Sequence, residues 1–253
     1  MNEHGIDDEP VDPTIYGAAF ADVYDRWYSQ VSPIEPLVDA LDRRCAGAPG
    51  RLLELGIGTG RLALPLVEAG WIVSGIDASV AMVDQLAAKA GGTAIEVTVG
   101  DVADPSAWPD QRYDVVLAAF NLIFNIAEDR AQRRVLGLVA AHLSPGGELA
   151  VEADVLDLGD QPSEASASSV VEGVHIETTS DPTTGVIHGV HRGSGRDRPW
   201  RLRYLSPAQL DAMAAEAGLE LVDRWESWRG DRFVEGYSDQ HVSFYRLIPA
   251  GSV

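Results

Sequence analysis

Arg51-Leu52-Leu53-Glu54-Leu55-Gly56-Ile57-Gly58-Thr59-Gly60 is the most informative stretch of this chain. A short apolar run ends in glutamate, glycines then recur at every second position, and a helix-compatible segment follows from Arg61 to Ala69. This order predicts a strand that turns tightly into a helix. Glycine tolerates positive φ and leaves bare backbone for a ligand, and the first amides of the helix point outward unpaired. Such a turn opens a nucleotide or nucleoside site in a parallel sheet. A dinucleotide fingerprint, G-x-G-x-x-G, needs its third glycine where this chain has Arg61, which counts against a nicotinamide cofactor.

Downstream, apolar runs and helical patterns alternate. Strands are predicted over 52–55, 72–76, 94–99, 114–119 and 148–153, and helices over 59–69, 79–90 and 128–143. Closing strands at 219–228 and 242–248 follow a helix capped by Ser206-Pro207 and stopped at Gly218. Alternation of this kind implies right-handed crossovers. The expected fold is α/β, a Rossmann-like, seven-stranded, mostly parallel sheet with helices on both faces. Ligands of such sheets sit at the carboxyl ends of the strands, and three of those ends carry acids: Glu54, Asp77 and Asp101.

Two segments fall outside the alternation. Tyr16, Phe20, Val23, Tyr24, Trp27 and Tyr28 recur at three- and four-residue steps, predicting an aromatic stripe on one helix. A second helix is expected from Ile34 to Cys45, entered through Ser32-Pro33. Residues 14–46 are thus read as a helical element, docked on the core or acting as a lid whose tyrosines keep polar tips. From 162 to 205 the period switches toward two. Strands at 170–178, 185–192 and 199–204, with a turn at Ser180-Asp181-Pro182, predict a small antiparallel insertion after the fifth strand. Residues 1–13 are acid-rich and read as a disordered tail, leaving 14–253 as a single domain.

Composition narrows the function classes. The chain has 253 residues, 45% of them hydrophobic, enough for a full core. A net charge of −20 repels phosphate backbones, so no nucleic-acid partner is expected. No apolar run approaches a membrane span, and residues 1–13 lack a signal-peptide pattern. A single cysteine, Cys45, leaves no internal disulfide and no multi-cysteine metal site, and the expected compartment is the cytoplasm.

With these elements in place, the chain from about Tyr16 to Leu247 resembles a class I S-adenosylmethionine-dependent methyltransferase. The first motif corresponds to Glu54-Leu55-Gly56-Ile57-Gly58-Thr59-Gly60, the second to Gly75-Ile76-Asp77-Ala78-Ser79 and the third to Gly100-Asp101-Val102. Tyr113-Asp114-Val115-Val116-Leu117 matches the strand beside the cofactor, and Leu143-Ser144-Pro145-Gly146-Gly147 the turn before the fifth strand. The resemblance implies a cofactor, S-adenosyl-L-methionine, held by Glu54, Gly56, Gly58, Gly60, Asp77, Ala78, Asp101, Val102, Ala119 and Phe120, with Tyr24 above them. Asp77 is expected to accept both ribose hydroxyls and Asp101 the adenine amine; the competing reading of either acid is an ordinary helix cap or turn.

The aromatic segment, Ala119-Phe120-Asn121-Leu122-Ile123-Phe124-Asn125 and the insertion resemble the small-molecule branch of the family. This implies a small-molecule acceptor, methylated on oxygen or nitrogen. A peptide acceptor, a nicotinamide oxidoreductase and a non-catalytic cofactor-binding module are the rival readings. His175, His188 and His191 are candidate general bases, with His241 near the last strand as another; an isolated histidine more often packs or faces solvent. His188 and His191 should face opposite sides of a strand. Arg192, Arg196, Arg198, Arg201 and Arg203 read as a solvated edge strand blunted by charge or as partners for an anionic acceptor. A homodimer through the insertion is a further expectation.

Overall fold

The computed structural model describes residues 12–28, 31–168, 173–193 and 195–249. Residues 1–11, expected to form a tail, lie outside the described residues. In chain order the elements are α1 (Ile15–Phe20), α2 (Tyr24–Trp27), α3 (Ile34–Arg44), β1 (Arg51–Leu55), α4 (Ala63–Glu68), β2 (Ile72–Asp77), α5 (Val80–Ala87), β3 (Glu96–Val99) and β4 (Tyr113–Ala118). There follow α6 (Leu122–Asn125), α7 (Asp129–His142), β5 (Leu143–Asp154), β6 (Ser163–Ser168), β7 (His175–Asp181), β8 (Val186–Arg192), β9 (Arg198–Arg203), α8 (Pro207–Glu216), β10 (Leu219–Trp225) and β11 (Gln240–Leu247).

The main sheet has seven strands in the order β10-β11-β5-β4-β1-β2-β3. β1, β2, β3, β4 and β5 run parallel, while β11 is antiparallel to both β5 and β10. The chain therefore starts in the middle of the sheet, winds outward to β3, and returns through β4. That reversal between β1 and β4 places the crevice for a ligand at the carboxyl ends of these strands.

Successive side chains of a strand point to opposite faces, so each central strand feeds two cores. Leu53, Val116, Leu149 and Val151 pack with Val135, Leu136 and Val139 of α7 and Leu210 of α8. Leu52, Val115, Leu117 and Ala150 pack on the other face with Leu37 and Leu41 of α3 and Leu66 of α4. Each fully buried aliphatic side chain contributes about 1.5–3 kcal/mol. These two cores hold the strand ends, and hence the site, in fixed register.

Several expectations need correction. The helix after the glycine turn begins at Ala63 rather than at Thr59, because Gly58 and Gly60 are left-handed (φ +56° and +74°) and extend the turn. The aromatic stripe lies on two short helices, α1 and α2, with a break at 21–23 that carries Asp22 outward while Phe20 and Val23 stay buried. The helix expected to reach Ala90 stops at Ala87 and yields to a 3₁₀ turn at Gly92–Ala94 before β3. The insertion is a second, four-stranded antiparallel sheet in the order β6-β7-β8-β9. Its first strand, Ser-Glu-Ala-Ser-Ala-Ser, has no large apolar residue to mark it. The strand expected from Val170 starts at His175, and residues 169–172 lie outside the described residues.

Candidate active site

The floor of the site is built by the turn after β1 and the end of β2. Gly56 is left-handed (φ +66°), donates its N–H to the Ile76 carbonyl at 2.8 Å, and a Cβ added there would come within 2.3 Å of Leu122 Cδ1. Gly58 donates its N–H to Asp77 Oδ2 at 2.8 Å. The other oxygen of Asp77 accepts the Ser79 N–H at 2.8 Å, and Ser79 caps α5. Burial pushes the Asp77 carboxyl up and the two amides pull it back. Each oxygen of Asp77 thus spends one lone pair on backbone and keeps another for the cleft. Asp101 Oδ1 accepts the Ala103 N–H at 2.8 Å, which fixes the turn after β3.

These groups border a cleft of about 340 Å³. Tyr24, Gly56, Gly58, Asp77, Ala78, Asp101, Val102, Ala119 and Phe120, nine of the eleven residues expected around a cofactor, line it. Gly60 does not: it packs beneath the turn, where a Cβ would come within 2.3 Å of Leu86 Cδ1. Glu54 also lies below the lining, 4% exposed. Its Oε2 is buried with no hydrogen-bond partner, and burial pushes its carboxyl up to about 8, against the opposing pull of Arg61. A buried orphan acceptor of this kind suits a cationic ligand group. Ribose hydroxyls fit Asp77, an exocyclic amine fits the free oxygen of Asp101, and an ammonium fits Glu54. The donor set matches a nucleoside carrying an amino-acid tail.

A cover lies over this floor. Gly17 of α1 sits so close to α5 that a Cβ would come within 2.2 Å of Ser79 Cβ. Asp25 of α2 accepts Thr59 Oγ1–H at 2.5 Å and pairs with Lys89 Nζ at 2.6 Å, and Lys89 also donates to the Thr59 carbonyl at 2.7 Å. The single lysine of the sequence therefore pins the cover to the glycine turn. Arg61 donates to the carbonyls of Val31 and Ser32 and lies 5.7 Å from the Phe120 ring centre. In the sequence Arg61 marks a break in the dinucleotide fingerprint and the start of a helix-compatible segment; its position directly after Gly60 is the one local signal of its contact with the cover. Tyr16 and Tyr24 line the cleft from above. Burial pushes both phenols up, Tyr24 to about 12.

The insertion packs against the back of the cover and contributes no residue to the cleft lining. Asp22 accepts Arg198 Nη1–H at 2.7 Å, Arg198 Nη2–H at 2.9 Å and Arg196 Nη2–H at 2.9 Å. These bonds lower the Asp22 carboxyl to about 2. Arg198 is 2% exposed, so it is neither a solvated edge residue nor open to an anionic acceptor, contrary to both sequence expectations. Arg192 is bound by Glu177 and Asp197, and Arg203 by Asp129 and Gln132.

Of the three candidate bases, His191 alone faces the cover. It lies 5.2 Å from Phe20 and 6.0 Å from Trp27, ring to ring, and its Nδ1 accepts the Trp200 indole N–H at 2.8 Å. Burial and nearby Arg198 lower its pKa. The pairing register puts His175 and His188 together on the opposite face of the sheet. His241 is buried in β11 against Ser243, its pKa depressed to about 4 by burial, and neither it nor His191, His175 or His188 lines the cleft. Among the described residues no group of His, Cys, Asp and Glu is placed to hold a metal ion, and no helix is long and apolar enough to cross a membrane.

Comparison with known proteins agrees with this geometry. The methyltransferase-domain family matches residues 52–147. The cypemycin N-terminal methyltransferase of a Streptomyces species is 33% identical over 136 residues, 54% of this chain, and the match spans only 55% of that relative. The demethylmenaquinone methyltransferase of Thermus thermophilus is 33% identical over 187 residues, covering 72% of this chain and 80% of the relative. Among solved structures, the CcbJ methyltransferase from Streptomyces caelestis superposes with a TM-score of 0.81 at 33% identity, covering 94% of this chain and 100% of that one.

Proposed function

The chain belongs to the class I S-adenosylmethionine-dependent methyltransferases, and we propose that it transfers a methyl group to a nitrogen of a small molecule of the natural-product or sugar kind. The cofactor supplies an electrophilic methyl whose sulfonium charge disappears as the methyl leaves. The protein's part is then to orient donor and acceptor in line and exclude water, an effect that can supply about 7–11 kcal/mol. Asp77 and Asp101 would hold the nucleoside, Glu54 the ammonium, and the aromatic cover would keep water out.

The observation that favours nitrogen over oxygen is the bond from Trp200 to His191. An indole N–H can only donate, so Nδ1 of His191 is the acceptor and the neutral ring carries its proton on Nε2. The one candidate base beneath the cover is therefore a donor toward its surroundings. An amine bound in its neutral form needs no strong base, whereas a hydroxyl does. The covering of the cleft by Tyr16 and Gly17 of α1 and Tyr24 of α2 supports a small acceptor. The net charge of −20 disfavours nucleic acid. The name of the cypemycin relative extends the amine reading to peptide N-termini. The homodimer and the cytoplasmic location remain part of this proposal, to be checked by light scattering and by fractionation.

The test is a screen with isotopically labelled methyl donor, read by mass, over amino sugars, amino-acid amides, short peptides and phenols, each amine paired with its N-acetyl form. Label is expected on free amines and absent from the acetylated forms. Label confined to hydroxyl acceptors overturns the nitrogen assignment.

A further inference from the structure

Among the described residues four non-glycine positions have left-handed backbone: Ser32 (φ 50°), Ala46 (φ 56°), Phe120 (φ 47°) and Asn121 (φ 59°). For a bulky side chain such as phenylalanine this conformation is an outlier, and it persists only where the surroundings over-determine it. Three of these four residues are bound by one residue, Glu152, near the end of β5. Its carboxylate accepts Ser32 Oγ–H at 2.6 Å, Phe120 N–H at 2.9 Å and Trp228 Nε1–H at 2.8 Å. Its backbone carbonyl accepts Asn121 N–H at 3.0 Å. Asn121 is held a second time by Asp154, through two bonds of 2.7 Å.

The place matters as much as the bonds. Phe120 lines the cofactor cleft and also a second cavity of about 210 Å³ on its far side, bounded by Ser32, Glu152, Asp154, Trp228 and Gln240. The carbonyls of Val31 and Ser32 in turn hold Arg61, whose charge acts on buried Glu54. One carboxylate therefore fixes both the exit of β4 and the strap leading into α3. We propose that Glu152 is a positioning residue for methyl transfer: it holds Phe120 as the partition between the cofactor cleft and the second cavity, and through Ser32 it holds the methionine end of the cleft. This rests on the methyltransferase reading only in naming the ligand whose site is held. Three donors converge on the group, so a carboxylate is required; an amide brings an N–H₂ against them and leaves at least one without an acceptor.

The test compares two identical substitutions on one strand. Glu148, four residues before Glu152 in the middle of β5, is bound by Arg44 and Arg246 and borders neither cavity. Binding of S-adenosylhomocysteine is measured by calorimetry, and thermal midpoints by calorimetric scanning, on the full chain. Glu152→Gln is expected to weaken binding about tenfold, the scale of a lost bond to a charged group. Glu148→Gln is expected to lower the midpoint and leave affinity within about twofold. Unchanged affinity in Glu152→Gln, or equal losses in both variants, overturns the proposal. If Glu152→Gln does not fold, Ser32→Ala decides: about threefold weaker binding supports the role and unchanged binding overturns it. Failure of wild type to bind sinks the cofactor assignment instead, so the two failures are distinguishable.

Discussion

The floor and the cover of the cleft are joined across very different chain distances. Gly58 and Asp77, which shape the floor, are 19 residues apart, whereas Asp22 and Arg198, which join the cover to the insertion, are 176 apart. The floor consists of backbone amides, left-handed glycines, the half-buried carboxylates of Asp77 and Asp101 and the buried one of Glu54, held between two hydrophobic cores. The cover consists of short helices of six and four residues, too short to be stable alone, tied down by ion pairs. The difference assigns them different work. We propose that a floor of local backbone, in place before a ligand arrives, selects the cofactor, and that a cover held by long-range side-chain pairs opens to govern entry, retention and the acceptor.

This division can be broken most severely at the floor. Asp77→Ala removes the proposed acceptor of two ribose hydroxyls and frees the Gly58 amide, and S-adenosylhomocysteine affinity is expected to fall roughly 100-fold or more by calorimetry. A smaller loss, comparable with that of a cover variant, removes the distinction.

Glu54 gives a pH signature. Its carboxyl is raised from an ordinary value near 4.5 to about 8 in the folded protein. An acid raised on folding favours the native state below its unfolded value, and that stability is lost as pH rises from about 4.5 through about 8. A bound ammonium favours the carboxylate, so binding expels a proton. Affinity should rise about tenfold per pH unit as pH approaches 8 from below, then level off. Calorimetry in buffers of different ionisation enthalpy counts that proton, and Glu54→Gln should abolish the slope.

Cover variants should cost less. Asp22→Asn leaves the buried Arg198 without its counter-charge, but Asp22 itself is 56% exposed and screened by water. Cofactor-analogue affinity is expected to fall about three- to tenfold, mostly through faster dissociation measured by stopped flow. The smallest effect is expected at His191. With an amine acceptor, His191→Phe should change turnover by less than about tenfold, whereas a general base is worth about 100-fold or more.

The same contrast explains what the sequence could and could not tell. The floor was legible because its residues signal locally: glycines at alternate positions, and single acids at the ends of β2 and β3. What it concealed was depth, since nothing in the motif distinguishes Gly58, which lines the cleft, from Gly60, which packs under it. The cover was legible only as an aromatic pattern. The break at 21–23 depends on arginines far along the chain, and β6 carries no apolar alternation. Glu152 was invisible for the same reason: Ser32 and Glu152 are 120 residues apart, and only the folded sheet brings them together.

On this proposal the floor alone chooses the cofactor. Calorimetric titration of the intact protein with S-adenosylhomocysteine, and separately with NADH, tests it most directly. One S-adenosylhomocysteine per chain is expected, with a proton released at pH 7, and no heat from NADH. Binding of NADH, or no binding of S-adenosylhomocysteine, would contradict it.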